Sequence, residues 1–209
     1  MESIKTIIRS TSNRIKSSGD FSDLAKKIIT KYHIKCGNKR FRFAEIEFYY
    51  YDKDYLNEEW CQKTYPRKDK EAGDLFFHYS GVDICFDSSF DKDNAVFGGI
   101  LIRSLYDENR KMYITGPLLC ANEILNACSK NKVWPVIEET TEHICKIETT
   151  GRYGISYSDG YEFKDNLCFY DHLLKEHLNN SIEESTWDYK KTSPKKVTRN
   201  YSKRFLNAE

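Results

Sequence analysis

Nowhere among its 209 residues does this chain carry the roughly 18–20 consecutive apolar residues of a membrane-spanning helix. Its opening, Met1-Glu2-Ser3-Ile4-Lys5, continues through Arg9, Arg14 and Lys16, so no secretory apolar region is expected there. Seven cysteines are an odd number and none falls in a Cys-x-x-Cys pair. That argues against a disulfide framework or a paired-thiol zinc site, and for a reducing, cytoplasmic setting. There is no Gly-x-x-x-x-Gly-Lys phosphate loop; Gly98-Gly99 and Gly116 stand isolated. Internal repeats are absent as well. What is present is enough apolar material for a core, 39% hydrophobic and 14% aromatic, which excludes disorder throughout.

Charge is balanced overall, 33 basic against 32 acidic residues, but unevenly placed. Residues 1–42 hold 11 Lys and Arg against 3 Asp and Glu, and residues 181–209 hold 7 against 4, leaving an acidic centre. Basic ends could meet a polyanion; solvated helix and tail faces account for the same numbers and are the commoner outcome. Residues 1–180 are expected to form one mixed α+β domain, with 181–209 as a basic, mobile tail.

Periodicity supplies the elements. Ile4, Ile7, Ile8 and Ile15 predict a first helix, broken at Ser17-Ser18-Gly19-Asp20. Phe21, Leu24, Ala25, Ile28, Ile29 and Tyr32 form the stripe of a second, with Lys26, Lys27 and Lys31 opposite. Residues 40–51 predict a long aromatic strand, residues 52–72 a long polar loop, and 75–79 and 82–86 two strand segments around Ser80-Gly81. Val96 to Leu105 is a further strand, and Gly116-Pro117 opens a helix striped by Leu118, Leu119, Ala121, Ile124, Leu125 and Cys128. Mixed strands follow Pro135, and a last helix is expected to carry Tyr170, Leu173, Leu174 and Leu178.

One segment bears chemistry. Along a strand Glu45, Glu47, Tyr49 and Tyr51 share one face, while Arg42, Ala44, Ile46, Phe48 and Tyr50 share the other, with Ala44, Ile46 and Phe48 toward the core. Two carboxylates at period two are either solvated or line a polar cleft, and they repel unless one is paired or protonated. Arg103, inside the apolar run Gly99-Ile100-Leu101-Ile102-Arg103, needs a partner of its own, and pairing it with the acidic strand resolves both demands. Such a pair could equally be a plain core ion pair. Metal chemistry is not expected. His143 and Cys145 are the closest His/Cys spacing, but nothing local completes a four-ligand set, and His172 and His177, five apart, do not share a helical face.

The order of these motifs resembles the alkyladenine (3-methyladenine) DNA glycosylases. Glu45-Ile46-Glu47-Phe48-Tyr49 matches the first, third and fifth positions of that family's Glu-Thr-Glu-Ala-Tyr segment. Asp23 to Ile29 resembles its leading helix, and a loop with Pro66-Arg67 precedes an aromatic strand with Gly81 and Cys85 in register. Ile100 to Leu105 is similar to its Val-Leu-Ile-Arg-Ala-Leu strand, Gly116-Pro117-Leu118-Leu119 to its Gly-Pro helix start, and Arg152-Tyr153-Gly154-Ile155 to a late Arg-Ile-Gly-Ile strand. The likeness spans residues 23–155. It implies one domain of the formyltransferase C-terminal-domain-like fold, a curved, largely antiparallel sheet with surrounding helices.

The resemblance also implies a function: flipping a damaged base from DNA and hydrolysing its N-glycosidic bond, with no metal or cofactor. Glu47 would deprotonate the attacking water, Arg103 would orient it, and Tyr49 and Phe77 would sandwich the base. The family's pocket histidine has no counterpart in residues 50–77, its wedge tyrosine falls at Ser80 beside Tyr79, and its pocket asparagine at Asp87. From the charge distribution, and not from the resemblance, phosphate contacts would come from Lys26, Lys27 and Lys31 and from the tail at Lys195, Lys196 and Arg199. Two alternatives stand beside this: a non-catalytic nucleic-acid-binding domain on the same scaffold, and a hydrolase of another nucleoside's glycosidic bond. The oligomeric state is left open.

Overall fold

In the computed structural model, residues 3–12, 15–52, 56–57, 70–87, 96–141, 143–151 and 167–178 are described. The break at Ser17-Ser18-Gly19-Asp20 acts as a helix start. Ser17 accepts from the Asp20 amide while the Asp20 carboxylate accepts from the Ser17 amide, a reciprocal cap that separates α1 (Ile4–Ser12) from α2 (Ser18–Lys31). Helix α2 buries Phe21, Leu24, Ala25, Ile28 and Ile29, as its stripe predicts. Tyr32 leaves the helix in extended backbone and begins β1 (Tyr32–Cys36), because Gly37 at φ +65° allows the hairpin into β2 (Lys39–Asp52).

Strand β2 organises the molecule. One edge pairs along almost its whole length with β6 (Val96–Asp107), and the other is shared in turn by β1, β10 (Cys168–Asp171) and β3 (Leu56–Asn57). Beyond β6 lie the hairpin of β4 (Leu75–His78) with β5 (Gly81–Cys85), and β7 (Met112–Thr115); β8 (Val136–Glu139) borders β1 and β9 (Ile147–Thr150) borders β10. All of these pairings are antiparallel, and the sheet curls into a half-barrel in a mixed α+β fold. Pro117 in the first turn and Lys132 in the left-handed cap bound α3 (Pro117–Asn131), after Gly116 at φ +114°.

The main core lies between the sheet and these helices. Phe21 of α2 meets Phe48 and Tyr50 of β2 edge to face at 5.2 and 5.6 Å, contacts worth about 0.5–1.5 kcal/mol each beyond area burial. The buried residues of α1, α2 and α3 join the same cluster. A smaller cluster of Ala44, Tyr170, Leu174 and Leu178 occupies the sheet's other face. Two expectations are corrected here. Tyr170 belongs to strand β10, and only residues 172–178 are helical. Ala44 turns away from Ile46 and Phe48, for a reason that also builds the site below. No helix among the described residues is long and apolar enough to cross a membrane. The tail 181–209, with Lys195, Lys196 and Arg199, lies outside the described residues, as do Pro66, Arg67 and the Arg152–Ile155 segment.

Candidate functional site

A strand with strict alternation keeps one parity toward the core. Strand β2 does not: Phe41 and Phe43 face the main core, then Ile46, Phe48 and Tyr50 do. Its partner changes at the same level, from Ile100 and Ile102 to Leu105. The ladder is irregular between Phe43 and Ile46, so Ala44 and Glu45 on one strand, and Arg103 and Ser104 on the other, all fall between core-facing residues. Such irregularities re-aim side chains. Counting by twos cannot detect this one, and so puts Ala44 on the wrong face.

The irregularity gathers charge. Arg103 Nη1 donates to Glu47 Oε2 at 2.8 Å, and Arg103 Nε lies 3.7 Å from Glu45 Oε1. Ser104 Oγ donates to Glu45 Oε2 at 2.8 Å and Cys168 Sγ to Glu45 Oε1 at 3.1 Å. One guanidinium thus serves two carboxylates whose mutual repulsion would otherwise oppose burial. Their exposures separate their roles. Glu45 is sealed at 0%, whereas Glu47 keeps 7% and the adjacent Tyr49 8%. Glu45 anchors the arginine; Glu47 and Tyr49 retain an outward surface.

Tyr49 is held by the neighbouring strands. Its hydroxyl donates to Asp83 Oδ2 at 3.0 Å, and its ring lies across Gly99, where an added Cβ would sit 2.0 Å from the phenol oxygen. Asp83 Oδ1 stands 3.3 Å from His78 Nε2, and His78 Nδ1 lies 2.9 Å from Ser80 Oγ. Phe76, opposite Asp83, stacks on His78 at 6.0 Å. Asp83 was missed as a site residue. The available signal was the one used for Arg103, a charged residue within an apolar strand, Val82-Asp83-Ile84.

The remaining expected residues do not all converge on Glu47. Phe77 pairs with Val82 and packs against the main core, so it is on the opposite face of the sheet from Tyr49 and cannot sandwich a base with it. On the β4–β5 hairpin, the aromatic residues on the Tyr49 side are Phe76 and His78, the neighbours of Phe77. Asp87 is bound by Arg9 of α1 at 3.2 Å. Lys26 and Lys27 are on the exposed side of α2, whose inner side contacts Phe48 and Tyr50, across the sheet from Glu47. Tyr79 and Ser80 form the exposed tip of the β4–β5 hairpin, with Tyr79 at 93% exposure.

No protein-family model matches the chain, and no curated protein matches it.

Proposed function

We propose that the protein is a DNA glycosylase that hydrolyses the N-glycosidic bond of alkylated purines of the 3-methyladenine type, with Glu47 as the general base. The observation that carries this reading is the Glu47–Arg103 contact at the outward edge of the sheet face that α1 and α2 leave uncovered. Motif order over residues 23–155 adds to it.

In this reading Glu47 takes a proton from water as the water oxygen bonds to C1′. The C1′–N bond breaks, its electron pair leaves with the base, and the carboxylate's charge favours the oxocarbenium-like transition state. Arg103 is a positioning residue, fixing one Glu47 oxygen while Glu45, itself held by Ser104 and Cys168, faces the arginine's other side. Tyr49 offers the stacking ring, and a cationic alkylated base gains cation–π attraction there. The second ring comes from Phe76 or His78 on the same face, replacing Phe77. Tyr79, exposed at the β4–β5 tip, serves in this reading as the wedge that fills the vacated stack.

The test compares wild type with Glu47→Gln under single-turnover conditions on an alkylated duplex. The base-release rate falls by roughly 10²–10⁴-fold, the usual contribution of general base catalysis, while DNA affinity is little changed. Binding without release in wild type would assign the scaffold to recognition alone. Neither binding nor release would direct the search to small nucleosides.

A further inference from the structure

A second cluster of side chains lies away from Glu47, and sequence spacing alone could not assemble it. His143 and Cys145 are two residues apart on the segment that enters β9, and the fold brings Asp171, at the end of β10, against them. His143 Nε2 is 3.1 Å from Asp171 Oδ2, and one ligand atom from each of His143, Cys145 and Asp171 lies within 4.8 Å of the others. We propose that His143 Nε2, Cys145 Sγ and Asp171 Oδ2 form a binding site for one zinc-like divalent ion, with a fourth position for water.

The donor set fits that ion class. Thiolate, imidazole and carboxylate together suit a borderline-soft, tetrahedral ion, and three protein ligands with one open position are a recurrent arrangement for it. Magnesium and calcium, which take oxygen ligands, are disfavoured by the sulfur.

The site is also held in place. The His143 amide donates to the Thr30 carbonyl at 2.8 Å, and the Lys146 carbonyl accepts from the His172 amide at 3.0 Å, so the His143–Cys145 segment is pinned at both ends. Asp171 Oδ1 accepts from the Leu173 amide at 3.0 Å, capping helix 172–178 and turning Oδ2 toward His143. Hydrogen bonds of this kind orient metal ligands. His172 Nδ1, buried and without a hydrogen bond among the described residues, lies 3.5 Å from Asp171 Oδ1, the oxygen that caps the helix.

Asp171 is three residues along β10 from Cys168, the residue opposite Glu47, or about 10 Å at roughly 3.3 Å per residue. The ion would tie the 143–146 segment to β10 and would not take part in the chemistry proposed for Glu47.

The experiment titrates the full chain, stripped of metal, with cobalt(II). The expected result is one ion per chain, with thiolate-to-cobalt charge-transfer absorption and d–d bands of tetrahedral intensity. Cys145→Ser removes the charge-transfer band. Asp171→Asn, which keeps an oxygen for the helix cap, weakens binding by at least about 100-fold, the upper end of the cost of losing an outer-sphere partner. Zinc X-ray absorption of wild type alone covers the case in which the variants fail to fold: one sulfur at about 2.3 Å with nitrogen and oxygen at about 2.0–2.2 Å is expected. No stoichiometric cobalt, a band that survives Cys145→Ser, or a zinc shell without sulfur would overturn the proposal.

Discussion

Arg103 bonds Glu47 at 2.8 Å although the two are not cross-strand partners: Glu47 stands opposite Leu101, two residues away on β6. The guanidinium reaches along the sheet to the carboxylate from the point where both strands change parity. The arrangement joins a packing irregularity to the only chemistry proposed for this face.

Removing the arginine should therefore cost more than a surface pair would. Arg103→Met leaves Glu45 and Glu47 buried without that cation, and a loss of about 3–5 kcal/mol is expected in urea unfolding. Arg103→Lys, which keeps the charge but not the forked geometry, should recover part of it. A change below about 1 kcal/mol, typical of exposed pairs, would contradict the burial argument.

Gly99 is predicted to be a packing requirement of Tyr49. An alanine Cβ there meets the phenol oxygen at 2.0 Å and its ring carbon at 2.6 Å. Gly99→Ala should destabilise by about 1–3 kcal/mol, the usual range for overpacking, and should displace the Tyr49 hydroxyl from Asp83. In a Tyr49→Ala background the same substitution should cost much less. Equal costs in both backgrounds, read from a denaturation cycle, would show that the two positions are not coupled.

Acid should weaken the fold in two separate windows. Burial holds His33 below its ordinary 6.5, against the pull of Glu138, so the unfolded chain binds the proton more readily. The stability His33 contributes is present above about pH 6.5 and is lost as pH falls through its lowered value. Burial would raise Asp107, but the Arg110 amide and guanidinium, with Lys39, outweigh it and hold this carboxyl below its ordinary 3.8. Its contribution is complete above the ordinary value and is lost as pH falls through the depressed one. Unfolding curves across pH 3–7 should lose the upper window in His33→Gln and the lower one in Asp107→Asn; curves unchanged by either variant would refute the assignment.

Much of the scaffold can be read from residue order, because α2 and α3 follow a 3.6-residue stripe and carry their own start signals at Ser17 and Pro117, and α1 follows one as far as Ser12, with Ile15 beyond its end. The strand around Glu47 is legible from its aromatics. Four features are not. The parity change at Ala44 and Glu45 depends on two strands meeting, and a period of two assumes that no such change occurs. The face of Phe77 follows from its pairing with Val82, which hairpin register decides. Strand β1 was hidden because Tyr32 continues the apolar stripe of α2 by one residue. Asp171 joins His143 and Cys145 only through the pairing of β9 with β10.

The placement of Lys26 and Lys27 gives a further prediction. They project from the far side of α2, across the sheet from Glu47, so a duplex engaged at Glu47 does not meet them. Lys26→Glu with Lys27→Glu should leave DNA affinity and its salt dependence nearly unchanged. A salt slope lower by about two phosphates' worth would place both lysines on the DNA.

The central claim is chemical, and the release of free base from a methylated duplex tests it most directly. Chromatography of the products from wild-type protein should show 3-methyladenine or a related alkylated purine, leaving alkali-labile abasic sites, and Glu47→Gln should release none above background. Retention of every alkylated base by wild type on DNA it demonstrably binds, or full release by Glu47→Gln, would contradict the account.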